Sequence, residues 1–140
     1  MSTDRIFLDA NILFSVAYGT PGLTRLGDYA KKSRCLLFAS NYVVEEAMRN
    51  LSTSEQNKRL RAFLSQVQIV SEVDPHIPCP IDLPEKDRPV LLAAISIKAN
   101  YLLTGDALHF GKNFGQTIHG VKISRPGDYF SYQPGDMKKD

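Results

Sequence analysis

Short apolar runs alternate along this chain with longer segments of helical periodicity, and this alternation is the strongest constraint on its fold. Strands are predicted at residues 5–8, 35–39, 67–70, 101–103 and 121–123, and helices at about 11–18, 23–34, 40–51, 54–64 and 87–97. A loop is predicted at residues 111–120 and a turn at 125–130. The run Ile6-Phe7-Leu8 is typical of a strand buried on both faces of a parallel sheet. Strands joined in this way by helices predict an α/β fold of three layers, with helices on both faces of a central, mostly parallel sheet of four to five strands.

Length and composition limit the class of protein. At 140 residues the chain is expected to form one domain over residues 1–132, followed by a polar, flexible tail at 133–140. The net charge of +2 neither requires nor excludes a nucleic-acid partner. The apolar runs are too short to cross a membrane, so no membrane association is expected. Because Cys35 and Cys79 lack metal-ligand spacing and no signal peptide is visible, we expect a reduced, cytoplasmic setting.

Acidic residues follow the ends of two predicted strands. Asp9 comes directly after the first strand, and Asp106 closely follows the fourth. The carboxyl ends of parallel strands share one edge of a sheet, so these two side chains are expected to approach each other. Asp87 lies at the start of the most apolar helix, where the helix dipole favours a negative charge. Glu45 and Glu46 flank the apolar stripe of another helix at about equal angles, so periodicity does not choose between them.

Carboxylates that converge without basic partners repel one another and stay ionised together only around a cation. Ligands that are all oxygen favour Mg²⁺ or Mn²⁺ over zinc. An ion held in this way lowers the pKa of a bound water and stabilises negative charge on a phosphate. The acidic residues therefore indicate a metal-dependent nuclease.

Each acidic residue also has a purely structural interpretation. Asp9 and Asp87 are suited to capping the helices that follow them, and Asp106 is suited to a turn. Glu45 and Glu46, each taken singly, are ordinary solvated helix residues. The prediction of a metal site depends on the acidic residues as a set.

Residues 5–130 resemble the PIN domain family, which includes the VapC-like toxin ribonucleases. The resemblance depends on the order and spacing of four stretches, at residues 8–11, 43–47, 87–94 and 102–106. The family pattern matches the acidic quartet that binds its metal to Asp9, Glu46, Asp87 and Asp106, and so favours Glu46 over Glu45. It also matches Asn11 and Thr104 to polar positions that orient ligands or water.

The resemblance implies an endoribonuclease that cleaves RNA phosphodiester bonds with Mg²⁺ or Mn²⁺. As a toxin, such a protein would pair with a small antitoxin that inserts near the acidic pocket, and it would form a homodimer. Among several local groups of basic residues, Lys86 and Arg88 are the preferred candidates for contacting RNA phosphates because they flank Asp87.

The chain departs from the family pattern after its last acidic position. Many relatives carry a further carboxylate two or three residues after that aspartate, whereas this chain has Leu108 and His109 there. A strong second metal site is therefore not expected. His109 is expected to pack beside Phe110 in a turn rather than to contact substrate or water.

Two other functions compete with the nuclease. A receiver domain also has an acidic pocket at its strand ends, but it needs an aspartate after its third strand and a lysine after its fifth, and neither is present here. A PIN fold could instead serve as a non-catalytic module that binds RNA or protein. The acidic residues at all four quartet positions argue against this second alternative.

Overall fold

A mixed sheet of six strands forms the centre of the computed structural model, which describes residues 3–131. Its strands are β1 (Asp4–Leu8), β2 (Cys35–Ser40), β3 (Val67–Val70), β4 (Tyr101–Leu103), β5 (Thr117–Ile118) and β6 (Val121–Ser124). The helices are α1 (Ala10–Ala17), α2 (Thr24–Lys31), α3 (Asn41–Arg49), α4 (Ser54–Leu64), α5 (Arg88–Ser96), α6 (Ala107–Phe110) and α7 (Pro126–Ser131). Two short 3₁₀ turns, Glu85–Asp87 and Gly111–Asn113, precede α5 and follow α6.

The order of the strands places an opening at the middle of the sheet. The order is β3-β2-β1-β4-β6-β5, and every pair is parallel except β5 with β6. From β1 the chain moves first towards β2 and β3, and later returns to the other side of β1 through β4. In open α/β sheets such a reversal leaves a crevice at the carboxyl ends of the two central strands, where ligands bind.

The burial of the central strands follows from their sequence. Ile6, Phe7 and Leu8 in β1 and Leu102 and Leu103 in β4 have no exposed surface. Helix α1 packs against α3 and α4, and α5 buries its residues from Val90 to Ala94. Among residues 3–131, none of the helices is long and apolar enough to span a membrane.

The predicted fold class is confirmed, and two local predictions are wrong. Residues 111–120, predicted as a loop, contain β5, which pairs with β6 in a hairpin and gives the sheet six strands instead of four or five. Residues 125–130, predicted as a turn, form most of α7, whose Tyr129 and Phe130 are buried. The tail predicted at 133–140 lies outside the described residues.

Candidate metal centre

Asp9 is held at the carboxyl end of β1 by hydrogen bonds to both of its carboxylate oxygens. Its Oδ1 accepts from the backbone N–H of Ala10 at 2.8 Å, which caps α1. Its Oδ2 accepts from the Thr104 hydroxyl at 2.9 Å and from the Asn11 amide at 3.1 Å. Asp9 therefore has the structural role of a helix cap as well as its position at the strand end.

Thr104 and Asn11 join the ends of β1 and β4. Besides donating to Asp9, the Thr104 hydroxyl accepts from the backbone N–H of Asp106 at 3.0 Å and from the Asn11 amide at 3.2 Å. The Asn11 Oδ1 accepts from the backbone N–H of Gly105 at 2.7 Å. These bonds fix Asp9 relative to Asp106, which is the orienting role expected of polar residues around a metal site.

Asp87 and Asp106 face one histidine. The Nδ1 atom of His109 lies 2.9 Å from Asp87 Oδ2 and 2.8 Å from Asp106 Oδ2. These are ion-pair distances, but Asp87 Oδ2 and His109 Nδ1 lack hydrogen-bond geometry to any group in the described residues. The other oxygen of Asp106 accepts from the backbone N–H of His109 at 3.1 Å and so caps α6. Asp87 makes no capping bond, although α5 begins at the next residue.

Helix α3 brings Glu46 to the same edge of the sheet. Ser40 caps this helix, and the burial of Val43 and Ala47 fixes which face points inward. Glu46 is consequently half-buried beside the carboxyl edge, whereas Glu45 is exposed. The structure thus distinguishes the two glutamates that helical periodicity left equivalent.

A cleft of about 900 Å³ contains the four predicted carboxylates. Asp9, Glu46, Asp87 and Asp106 all line it. The wall also has an apolar part, formed by residues that include Ile12, Phe14, Leu23 and Phe130. Within residues 3–131 no lysine or arginine lies at ion-pair distance from any of the four carboxylates.

Burial raises the pKa of two of these groups. The pKa of Asp9 is raised from 3.8 to about 6, chiefly by burial and to a smaller extent by the charges of Asp87 and Glu46, while hydrogen bonds from Thr104 and Ala10 act in the opposite direction. Burial likewise raises the pKa of Asp87, with the charges of His109 and Lys86 opposing the shift. Both carboxylates would be more stably ionised beside a cation.

The arrangement fits a divalent ion. Asp87, Asp106 and His109 each offer a ligand atom, and these atoms all lie within 4.8 Å of one another. The buried Asp87 Oδ2, which has no hydrogen-bond partner among the described residues, is available for coordination. Carboxylate oxygens are ligands that Mg²⁺ and Mn²⁺ accept.

The basic and aromatic residues of the cleft differ in part from those predicted. Lys86 lines the cleft, but Arg88 lies away from it and its Nε donates to the Leu83 carbonyl at 3.1 Å. Arg25, which the sequence did not single out, lines the cleft with its guanidinium 4.2 Å from the centre of the Phe130 ring.

His109 was predicted to pack beside Phe110, and the structure adds contacts with two carboxylates that the prediction did not include. The spacing of Asp106 and His109 by three residues was the available signal, because residues at that spacing are neighbours on a helix.

The fold has a counterpart among solved structures. The crystal structure of VapBC2 from Rickettsia felis bound to a DNA fragment from their promoter matches this chain with a TM-score of 0.62. The match covers 86% of this chain and 98% of that chain, at 17% sequence identity. This chain has the fold of a VapC-like PIN domain.

The comparison supports the fold that the sequence resemblance implied. No protein-family model matches the sequence, and no curated protein matches it significantly. At 17% identity the structural match concerns the path of the chain and not its chemistry. The function of this VapC-like fold must therefore be argued from its own residues.

Proposed function

We propose that this protein is a metal-dependent endoribonuclease that hydrolyses RNA phosphodiester bonds with Mg²⁺ or Mn²⁺. The observation that carries the proposal is the convergence of Asp9, Glu46, Asp87 and Asp106 on one cleft, with no ion pair to a lysine or arginine of residues 3–131. Four carboxylates that have only one histidine, and no lysine or arginine, at ion-pair distance are costly to a fold unless they serve to bind a cation.

The roles of the residues follow from their positions. Asp9, Glu46, Asp87 and Asp106 would hold the ion, and Asn11 and Thr104 would keep Asp9 in place through the bonds described above. When bound, a divalent ion supplies stabilisation of negative charge on a phosphate and lowers the pKa of a water. Lys86, exposed at the rim of the cleft, would attract the RNA backbone.

The first test is RNA cleavage by the purified protein with Mn²⁺ or Mg²⁺, and with EDTA as the metal-free condition. Asp9→Asn is expected to abolish cleavage and leave the protein folded, because a neutral amide is a poorer ligand for these ions. Binding of RNA by Asp9→Asn would be retained or tightened, since one repulsion of the phosphate is removed.

Adjacent glutamates provide a matched control. Glu46→Gln and Glu45→Gln make the same chemical change one residue apart, but only Glu46 lines the cleft. Cleavage should fall about a hundredfold or more in Glu46→Gln and stay near wild type in Glu45→Gln. Equal activity in the two variants would contradict the assignment. RNA binding without cleavage by the wild-type protein would favour the non-catalytic module instead.

We also propose that the protein is the toxin of a toxin–antitoxin pair. The support is the structural likeness to VapBC2, a complex, together with a cleft whose apolar wall could accept side chains of a small protein. A homodimer is proposed on the family resemblance alone. Light scattering of the purified chain tests the dimer. Co-expression with small proteins encoded beside its gene tests the antitoxin, which should protect cells from the effect of the wild-type chain.

A further inference from the structure

The position of His109 differs from that of a simple packing residue. A single ring nitrogen faces two carboxylates at nearly equal distances, 2.9 Å to Asp87 and 2.8 Å to Asp106. One nitrogen carries at most one hydrogen, so it could serve both oxygens only by sharing that hydrogen between them. Neither contact has hydrogen-bond geometry, and the Nδ1 atom and Asp87 Oδ2 are both buried. Asp87 Oδ2 and His109 Nδ1 thus lie 2.9 Å apart without a hydrogen bond that satisfies either atom.

The backbone holds this arrangement in place. Asp106 caps α6 with its Oδ1, and the bond goes to the N–H of His109 itself. The cap therefore fixes His109 three residues later on the same side, with Asp106 Oδ2 turned towards the ring. Asp87 reaches the same point from the 3₁₀ turn before α5 and is 6% exposed. Two separate elements converge on the histidine.

We infer that His109 is a metal ligand that, together with Asp87 and Asp106, gives this site a mixed nitrogen and oxygen donor set and a preference for Mn²⁺ over Mg²⁺. The inference depends on the metal site of the proposed function and specifies its ion. Mg²⁺ binds oxygen ligands almost exclusively, whereas transition-metal ions also accept imidazole nitrogen. A histidine where relatives often carry a carboxylate would therefore weaken Mg²⁺ relative to Mn²⁺.

The test measures binding, separately from cleavage. Calorimetric titrations of the metal-free protein with MnCl₂ and with MgCl₂ give the ratio of the two dissociation constants. Pulsed EPR of the Mn²⁺-loaded protein detects a nitrogen nucleus bound directly to the ion. The wild-type protein should show that nitrogen coupling and bind Mn²⁺ more tightly than Mg²⁺.

Two substitutions isolate the histidine. His109→Asp should remove the nitrogen coupling and reduce the preference for Mn²⁺ by about tenfold or more, since it restores an oxygen ligand. His109→Gln adds no charge to the metal-free fold and should also lose the coupling, with Mn²⁺ affinity lowered by about tenfold. His119→Asp, at an exposed position in the β5–β6 turn, is the control and should leave both measurements unchanged.

The outcomes separate this inference from the proposed function. Mn²⁺ binding by the wild-type protein without nitrogen coupling, or an unchanged ratio in both His109 variants, would overturn the inference and leave the nuclease proposal intact. His109 would then be only an ion-pair partner of the two carboxylates. Failure of the wild-type protein to bind either ion, with or without RNA, would overturn both proposals.

Discussion

The buried Asp9 should make the metal-free protein less stable as the pH rises. Its pKa is about 6 in the folded protein against 3.8 as the ordinary value, so the folded state holds the proton more tightly than the unfolded chain does. A group of this kind stabilises the fold fully at low pH, and the contribution is lost as the pH rises through the folded pKa. The full difference between the two pKa values corresponds to about 3 kcal/mol of stability, at about 1.4 kcal/mol for each unit of pKa.

Only part of this change in stability occurs within a pH range that is convenient for unfolding experiments. Between pH 5 and pH 7.5, the linkage relation gives a loss of about 1.4 kcal/mol from Asp9 alone. Other groups also titrate there, so the quantity to measure is the pH effect in wild type minus that in Asp9→Asn. Hydrogen bonds lost in the variant are lost at both pH values, and they cancel in this difference.

Urea unfolding in EDTA at pH 5 and pH 7.5 gives the free energies of unfolding of wild type and of Asp9→Asn, four values in all. Wild type should lose about 1.4 kcal/mol more than Asp9→Asn as the pH rises. Asp28→Asn, which makes the same change at an exposed position, should behave as wild type. Excess Mn²⁺ should stabilise wild type more at pH 7.5 than at pH 5, because the metal binds the ionised form. Equal pH effects in wild type and Asp9→Asn would refute the argument from burial.

Four further substitutions test the surroundings of the site. Thr104→Val should lower the free energy of unfolding by about 1–3 kcal/mol, measured by urea denaturation, because it leaves buried partners of the hydroxyl unsatisfied. Lys86→Ala should weaken RNA binding and reduce its salt dependence, whereas Arg88→Ala, outside the cleft, should not; fluorescence anisotropy at several salt concentrations compares them. Phe7→Ala, at a fully buried position of β1, should lower the free energy of unfolding by about 3–5 kcal/mol, measured by thermal or urea denaturation.

The parts of the fold that sequence predicts well are those decided by local pattern. Strands β3 and β4 and helix α4 begin and end where the apolar pattern predicts. The N-terminal cap of α4 also corresponds to a local sequence pattern, since Thr53 and Gln56, three residues apart, form a capping box. Helix α4 is long enough to show a helical period, whereas β3 and β4 are short, mostly apolar runs bounded by polar residues.

The missed elements are short and depend on distant partners. Strand β5 has only two residues, too few to show alternation, and it exists because the chain turns at His119 and Gly120, both with positive φ, and pairs with β6. Helix α7 begins with Pro126 and Gly127, a pair that locally favours a turn. Its Tyr129 is buried, and the hydroxyl donates to Asp4 Oδ2 at 3.1 Å, on a strand at the other end of the sequence.

For the candidate site, the sequence identified which residues are involved but not where each of their side chains points. The strand ends locate Asp9 and Asp106 because parallel topology alone brings them together. The direction of Arg88 depends on its bond to the Leu83 carbonyl, and the direction of His109 depends on Asp87, which is distant in sequence. Neither contact leaves a local pattern in the chain.

The hydrogen bond between Thr104 and Asp9 joins residues 95 positions apart and sets the order in which the site can appear. A chain emerging from the ribosome contains Asp9 and Glu46 long before it contains Asp106. The carboxylates come together only when β4 pairs with β1, and closing so long a loop is slow compared with forming local helices. A nascent or partly folded chain would therefore carry only some of the carboxylates of the candidate site, and the proposed activity would arise late in folding.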